Sequence, residues 1–267
     1  HLLFIVYIND IACHLTPGTK MPLSADASLL YRRILSPRDC QILQNDLDQL
    51  QRWESTWKME FHPQKCQLLK ITHKRNPTTY QYTIHNTILN ETDSAKYLGI
   101  TIDNKLNWKQ HYSNTTKKAN KTLAFLRRNI SNCPSHIKDK CYKTLVRPIL
   151  EYGSAVWDPH FKIDIDRFEK VQKRAGRFAT GNYQLETGNT RTNMINLGWT
   201  PLSERRAQIK LNIFFKAQNG LVDIPLNHIR TNTRRKKSYT IPASSLNSHL
   251  YSSYPSTIML WNAVPEA

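Results

Sequence analysis

Apolar and polar positions follow two different rhythms along this chain. Leu2 to Ile8 is a short apolar run closed by Asn9-Asp10, and its period fits either a buried helix or a strand. Thr16-Pro17-Gly18 reads as a turn. Met21 to Ala25 and Ser28 to Ile34 predict two strands around Asp26-Ala27, a tight hairpin. Ser36 then supplies an N-cap and Pro37 a first helical residue. Ile42, Leu43, Leu47, Leu50, Trp53 and Trp57 recur at helical spacing as far as Met59, and His62-Pro63 stops the helix. Cys66 to Thr72, Tyr80 to Ile84 and Tyr97 to Ile102 predict three more strands, the last with Gly99 inside it. A glycine there points to a bulge or a close backbone approach.

From Trp108 the period becomes helical and stays so. Helices are predicted over Trp108 to Asn129, from Pro134 to Ile149 with a kink at Pro148, over Ile165 to Ala179, and over Leu202 to Gln218. Asn219-Gly220 is a good C-terminal stop. Arg234-Arg235-Lys236-Lys237 falls in a loop, and the chain from Ser238 is rich in Ser, Tyr and Pro. No internal repeat is visible. The pattern therefore predicts an α+β first part over 1–103, an all-helical second part over 104–240, and a tail over 241–267.

Charge sharpens this division. The net charge of the 267 residues is +18. Lys105 to Thr240 holds 27 basic and 9 acidic residues, so that window carries the whole excess and the remainder balances at 11 against 11. Segregated positive charge points to a polyanion, most simply nucleic acid. A membrane surface fits less well, because no cationic helix has a bulky aromatic face, and no apolar run approaches the roughly 18 residues of a span. Five cysteines without a C-x-x-C pair point to a reduced intracellular setting, nucleus and cytoplasm being equally compatible. The chain starts at His1, directly into an apolar run, so it reads as a segment of a longer protein without signal or transit peptide.

Several blocks resemble one family. "LLFIVYINDI" (2–11) followed by "SADASLLY" (24–31) is similar to the catalytic hairpin region of non-LTR retrotransposon reverse transcriptases of the jockey type, where the hairpin reads F-A-D-D. "LQNDLDQLQRWESTWKMEFHPQKCQLLKIT" (43–72) resembles that family's next helix and its N-P-x-K-C segment, and "DSAKYLGITID" (93–103) the following strand. The stretches 126–160, 197–211 and 254–265 resemble its later regions, in order. The resemblance implies a right-hand polymerase, with residues 1–103 as the end of the palm and 104–240 as thumb and post-thumb. It also implies an RNA template, a DNA primer and Mg²⁺.

Nucleotidyl transfer uses two divalent ions roughly 3.5–4 Å apart, held by carboxylates and phosphate oxygens. The family brings one aspartate from an earlier palm motif and two from the hairpin. Here only Asp26 stands at the hairpin; Ala27 occupies the second position and Ser24 that of the usual aromatic. Asp26 is thus expected to be a vestigial catalytic residue and metal ligand, and the chain to be inactive. Lys65 matches the lysine of N-P-x-K-C, and Tyr97-Leu98-Gly99 the segment that grips the primer. Both also read as ordinary surface or strand residues. His62 and Cys66 are too few for zinc. Asp10 reads as a cap, and Trp157 and Trp261 as core anchors. The nucleic-acid-binding candidates are Lys117, Lys118, Lys121, Arg127 and Arg128 on one helix and Lys170, Lys173, Arg174 and Arg177 on another. Like charges at i,i+4 destabilise an isolated helix, and a phosphate backbone relieves that repulsion. The alternative to a polymerase fragment is a non-catalytic nucleic-acid-binding module that uses these helices alone.

Overall fold

The structure is a computed structural model that describes residues 6–24, 27–183, 189–226, 229, 231, 238–244 and 246–264. Side chains are described for these except at 24, 27 and 189–191. The chain divides into two compact units, residues 1–107 and 108–267.

In the first unit, β1 (Thr19–Lys20) pairs with β4 (Tyr31–Arg32), and between them β2 (Leu23–Ser24) pairs with β3 (Ala27–Ser28). The four pieces form one antiparallel hairpin, Thr19 opposite Arg32 and Ser24 opposite Ala27. Helix α1 (Pro37–Trp57) follows. Its start is a capping box: the Asp39 carboxylate accepts the Ser36 N–H at 2.9 Å and the Ser36 hydroxyl at 3.0 Å. The backbone N–H groups of Ser36 and then Leu35 hold the Asp39 carboxyl below the usual range. The helix ends one turn before His62-Pro63, because Lys58 adopts the left-handed conformation (φ 56°) and its N–H returns to Glu54. Leu47, Leu50 and Trp53 on its inner face pack with Ile8, Ile11, Met21, Tyr82 and Ile84 into the core of this unit.

Beyond α1, β5 (Gln67–Leu69) pairs in parallel with β8 (Asn90–Thr92), and β6 (Thr83–Ile84) forms a hairpin with β7 (Thr87–Ile88). The single strand predicted over Tyr97 to Ile102 is instead a hairpin of β9 (Ser94–Tyr97) and β10 (Ile100–Asp103). Leu98 (φ 45°) and Gly99 (φ 80°) make its two-residue turn. A turn with both central residues at positive φ matches the twist of the strands. The unbroken apolar run hides it, because glycine alone signals the reversal.

The second unit is helical: α2 (Lys109–Asn129), α3 (Ser135–Cys141), α4 (Arg147–Glu151), α5 (Ser154–Trp157), α6 (Lys162–Thr180), α7 (Asn189–Asn196), α8 (Leu202–Gln218), α9 (Asn247–Leu250) and α10 (Ser253–Asn262). A π-helical segment, Tyr142–Val146, joins α3 to α4. Pro148 has no N–H for the carbonyl four residues back, and the chain meets this by widening rather than by breaking. Trp157, 1% exposed, stacks on Phe168 at 5.1 Å, and the Tyr112 hydroxyl donates to the Trp157 carbonyl at 2.9 Å. Tyr142 stacks on Trp199 at 4.2 Å and its hydroxyl donates to Gln172 at 2.8 Å.

The region after Ser238, for which periodicity predicts no element, contributes α10. Ile258 is fully buried, and Trp261 meets the ring of Phe214 on α8 edge-on at 5.1 Å. The run from Ile258 to Trp261 is apolar all round, so it carries no 3.6-residue signal. Tyr112 touches Phe168, and further along Asn120 touches Arg174. Helices α2 and α6 therefore lie side by side and run in the same direction.

Candidate nucleic-acid interface

Asp26, the candidate metal ligand, lies outside the described residues, and so does the run 234–237. Strands β2 and β3 have other residues of interest beside them. Tyr97, at the tip of β9–β10, brings its hydroxyl to 3.5 Å from the Pro22 carbonyl, beside the start of β2. That distance is too long for a strong hydrogen bond, yet it sets the Tyr97-Leu98-Gly99 turn next to the strand that enters the hairpin. Leu98 is exposed there. Lys65 ends a single 3₁₀ turn, Pro63–Lys65, and points from an exposed position.

The carboxylates of this unit that lie near the core are committed to other partners. Asp10 accepts the Trp53 indole N–H at 2.9 Å. Asp46, 1% exposed, accepts the Thr16 N–H at 2.9 Å and the hydroxyls of Thr16 at 2.7 Å and Thr19 at 2.5 Å. Glu54 accepts the Phe61 N–H at 2.6 Å and meets His85 Nε2 at 3.0 Å. Burial first, and then the nearby Glu54, push the Cys66 thiol up. Two magnesium ions need several oxygen ligands at one point. In the sequence Asp26 is followed by Ala27 and not by a second carboxylate.

The two helices that carry the basic candidates lie side by side. Lys117, Lys118, Lys121, Arg127 and Arg128 project from α2; Lys170, Lys173, Arg174 and Arg177 project from α6. All are exposed except Arg177, which is half-buried. The opposite sides of the helices form the core: Tyr112, Thr116, Ala119, Leu123 and Leu126 on α2, and Phe168, Val171, Ala175 and Phe178 on α6. Arg174 Nη1 donates to Asn120 Oδ1 across the pair at 3.0 Å. Among the described residues the ion pairs of this unit are made by other side chains: Lys143–Asp139, Lys162–Asp166, Arg167–Asp164, Arg205–Glu151, and Arg206 and Lys210 with Asp158. Among the described residues the nine cations on these two adjoining helices thus have no carboxylate within ion-pair distance, an arrangement suited to phosphate contacts that position a strand without reading its sequence.

A second charged group escapes sequence reasoning. Arg206 is fully buried and Lys210 is 4% exposed. Arg206 Nε and Lys210 Nζ each lie 2.7 Å from a different oxygen of Asp158. Lys210 also donates to Ser256 Oγ at 3.0 Å, and Arg206 lies over the Phe168 ring at 5.4 Å. The signal was available: Leu202, Arg206, Lys210 and Phe214 form one i,i+4 ladder on α8, all buried. Two cations on an inward stripe demand a carboxylate. Which one is a matter of tertiary structure.

No helix among the described residues is long and apolar enough to cross a membrane. The chain is 30% identical over 210 residues to the probable RNA-directed DNA polymerase from transposon BS of Drosophila melanogaster, a match covering 73% of this chain and 23% of that protein. It is 26% identical over 192 residues to the RNA-directed DNA polymerase from mobile element jockey of Drosophila melanogaster, covering 67% of this chain and 20% of the relative. The jockey polymerase of Drosophila funebris is 25% identical over 185 residues, covering 67% and 18%. The chain spans about a fifth of the length of these curated relatives. No family model and no solved structure matches it.

Proposed function

We propose that this chain, a homologue of the RNA-directed DNA polymerases of jockey and related transposons, is the palm-hairpin-to-thumb portion of such a reverse transcriptase, and that it holds nucleic acid without polymerising it. In this reading residues 1–103 are the latter part of the palm, 104–240 the basic thumb and post-thumb, and 241–267 the tail. The ancestral reaction joins a deoxynucleotide to a primer 3′-hydroxyl on an RNA template. When bound, Mg²⁺ supplies charge stabilisation at the hydroxyl and the leaving pyrophosphate. With Ala27 at the hairpin, this chain lacks a carboxylate that the family uses to hold it.

The observation that carries the binding half is the adjacency of α2 and α6, fixed by the Arg174–Asn120 contact. It makes one surface of two basic helices. Lys117, Lys121, Lys170, Lys173, Arg174 and Arg177 would each meet a phosphate of an RNA/DNA hybrid or of either single strand. The turn Tyr97-Leu98-Gly99 takes the role of the primer grip, and Lys65 that of a leaving-group cation, in the intact polymerase. One preparation tests both halves: primer extension with Mg²⁺ on an RNA template, beside a binding assay with the same template and primer. Binding without extension is the expected result. Extension above background overturns the inactive half, and failure to bind overturns the other.

A further inference from the structure

We infer that Tyr183 is a base-stacking residue at the end of the basic α2–α6 surface, and that this surface therefore prefers single-stranded nucleic acid to duplex. The inference rests on the nucleic-acid reading above and deepens it. Gly181 closes α6 in the left-handed conformation (φ 72°), and two residues later Tyr183 comes under Arg127, whose guanidinium carbon sits 5.9 Å from the ring centroid. Arg127 and Arg128 lie in the last turn of α2, and Arg177 in the last turn of α6. The parallel course of the two helices brings these ends together.

What separates Tyr183 from the other rings that carry a cation is its exposure, and what separates it from exposed rings such as Phe125 is the guanidinium on its face. Three cation–π pairs are present among the described residues. Lys138 lies over Phe178 and Arg206 over Phe168, and those rings are 3% and 0% exposed, so they serve the core. Tyr183 is 53% exposed. An exposed aromatic ring with a guanidinium on its face, at the end of a track of lysines and arginines, is the arrangement that single-strand binders use. Cations follow the backbone while a ring accepts a base. A base in an intact duplex is stacked on its neighbours and cannot reach such a ring without unstacking. The ligand class is thus a single strand, or a single-stranded end, of either sugar type.

The test uses the full chain with three variants. Binding of a labelled oligothymidylate of about 20 nucleotides and of a duplex of the same length is measured by fluorescence anisotropy at fixed salt. Tyr183→Ala is expected to weaken single-strand binding roughly 5- to 150-fold, the range for one lost base stack. It should leave duplex binding unchanged, and Tyr183→Phe should bind as the parent does, because stacking needs the ring and not the hydroxyl. Lys170→Ala combined with Arg174→Ala should weaken both ligands. An unchanged single-strand affinity for Tyr183→Ala, an equal loss on duplex, or failure of Tyr183→Phe to restore binding overturns the assignment while leaving the basic surface in place. A parent chain that binds neither ligand overturns the nucleic-acid reading and this inference with it.

Discussion

Arg174 on one helix donates to Asn120 on its neighbour at 3.0 Å, and the two residues are 54 positions apart in sequence. That contact, with Tyr112 on Phe168, sets the two helices that carry the basic residues side by side. If the surface neutralises about six phosphates, log K for a nucleic acid should fall with log[salt] at a slope of roughly −4 to −5. The quadruple change of Lys170, Lys173, Arg174 and Arg177 to Ala should flatten the slope by up to about 3–4. The fold should survive, because Phe168, Val171, Ala175 and Phe178 keep the buried side of the helix. A quadruple variant with the parent's slope would show that this helix face is only solvated.

Catalysis should be absent and should stay absent on partial repair. Ala27→Asp restores one hairpin carboxylate beside Asp26, but two ions also need the aspartate of the family's earlier palm motif, which no block of these 267 residues resembles. Template-dependent incorporation by either protein, measured by primer extension with Mg²⁺, would contradict this. Asp26→Ala should leave the salt slope of binding unchanged.

The buried group around Asp158 makes a stability prediction. Asp158→Ala leaves Arg206 and Lys210, 0% and 4% exposed, without their shared carboxylate. Removing one partner of a buried ion pair strands the other charge, so the loss should be about 3–5 kcal/mol in urea unfolding. Replacing both cations together, Arg206→Met with Lys210→Met, along with Asp158→Leu, should cost much less. Equal losses in the two proteins would show that packing, not charge, dominates there.

Asp46 should matter for stability and not for binding. Its carboxylate takes three hydrogen bonds from Thr16 and Thr19, tying the turn before β1 to α1. Asp46→Ala should cost about 2–4 kcal/mol, and Asp46→Asn less, since an amide oxygen still accepts. Differential scanning calorimetry of the three proteins orders them.

Acid should destabilise the helical unit through histidine. Burial holds His111 below its ordinary pKa, next to the Trp157 ring at 5.1 Å. His160 is lowered as well, by burial first, with Asp164 and Asp158 opposing. In the window between the lowered folded value and the unfolded value of about 6.5, the unfolded chain binds more protons. The contribution is therefore complete above the unfolded value and is lost as pH falls below it. Urea midpoints should drop between about pH 7 and about pH 5, and His111→Gln should reduce that drop. A variant with the parent's full pH dependence would remove His111 as the cause.

The sequence by itself determined the change of rhythm at Trp108, α1, α2, α6 and α8 to within a turn, eight exposed cations on α2 and α6, and the kinship with jockey-type polymerases. These are local signals: a cap at Ser36, a 3.6-residue period, a charge window, ordered motif blocks. Tertiary structure alone decided the rest. Leu98-Gly99 became a turn because two strands could pair, which a run of apolar residues does not announce. The final helix became visible only against Phe214, since its apolar residues stand in one unbroken run, Ile258 to Trp261, that has no period. Arg206 and Lys210 chose Asp158, and α6 chose α2, through contacts between residues far apart in the chain. Periodicity tells which side of a helix faces inward, but not what it meets there, because the partner is selected by packing and charge compensation in three dimensions.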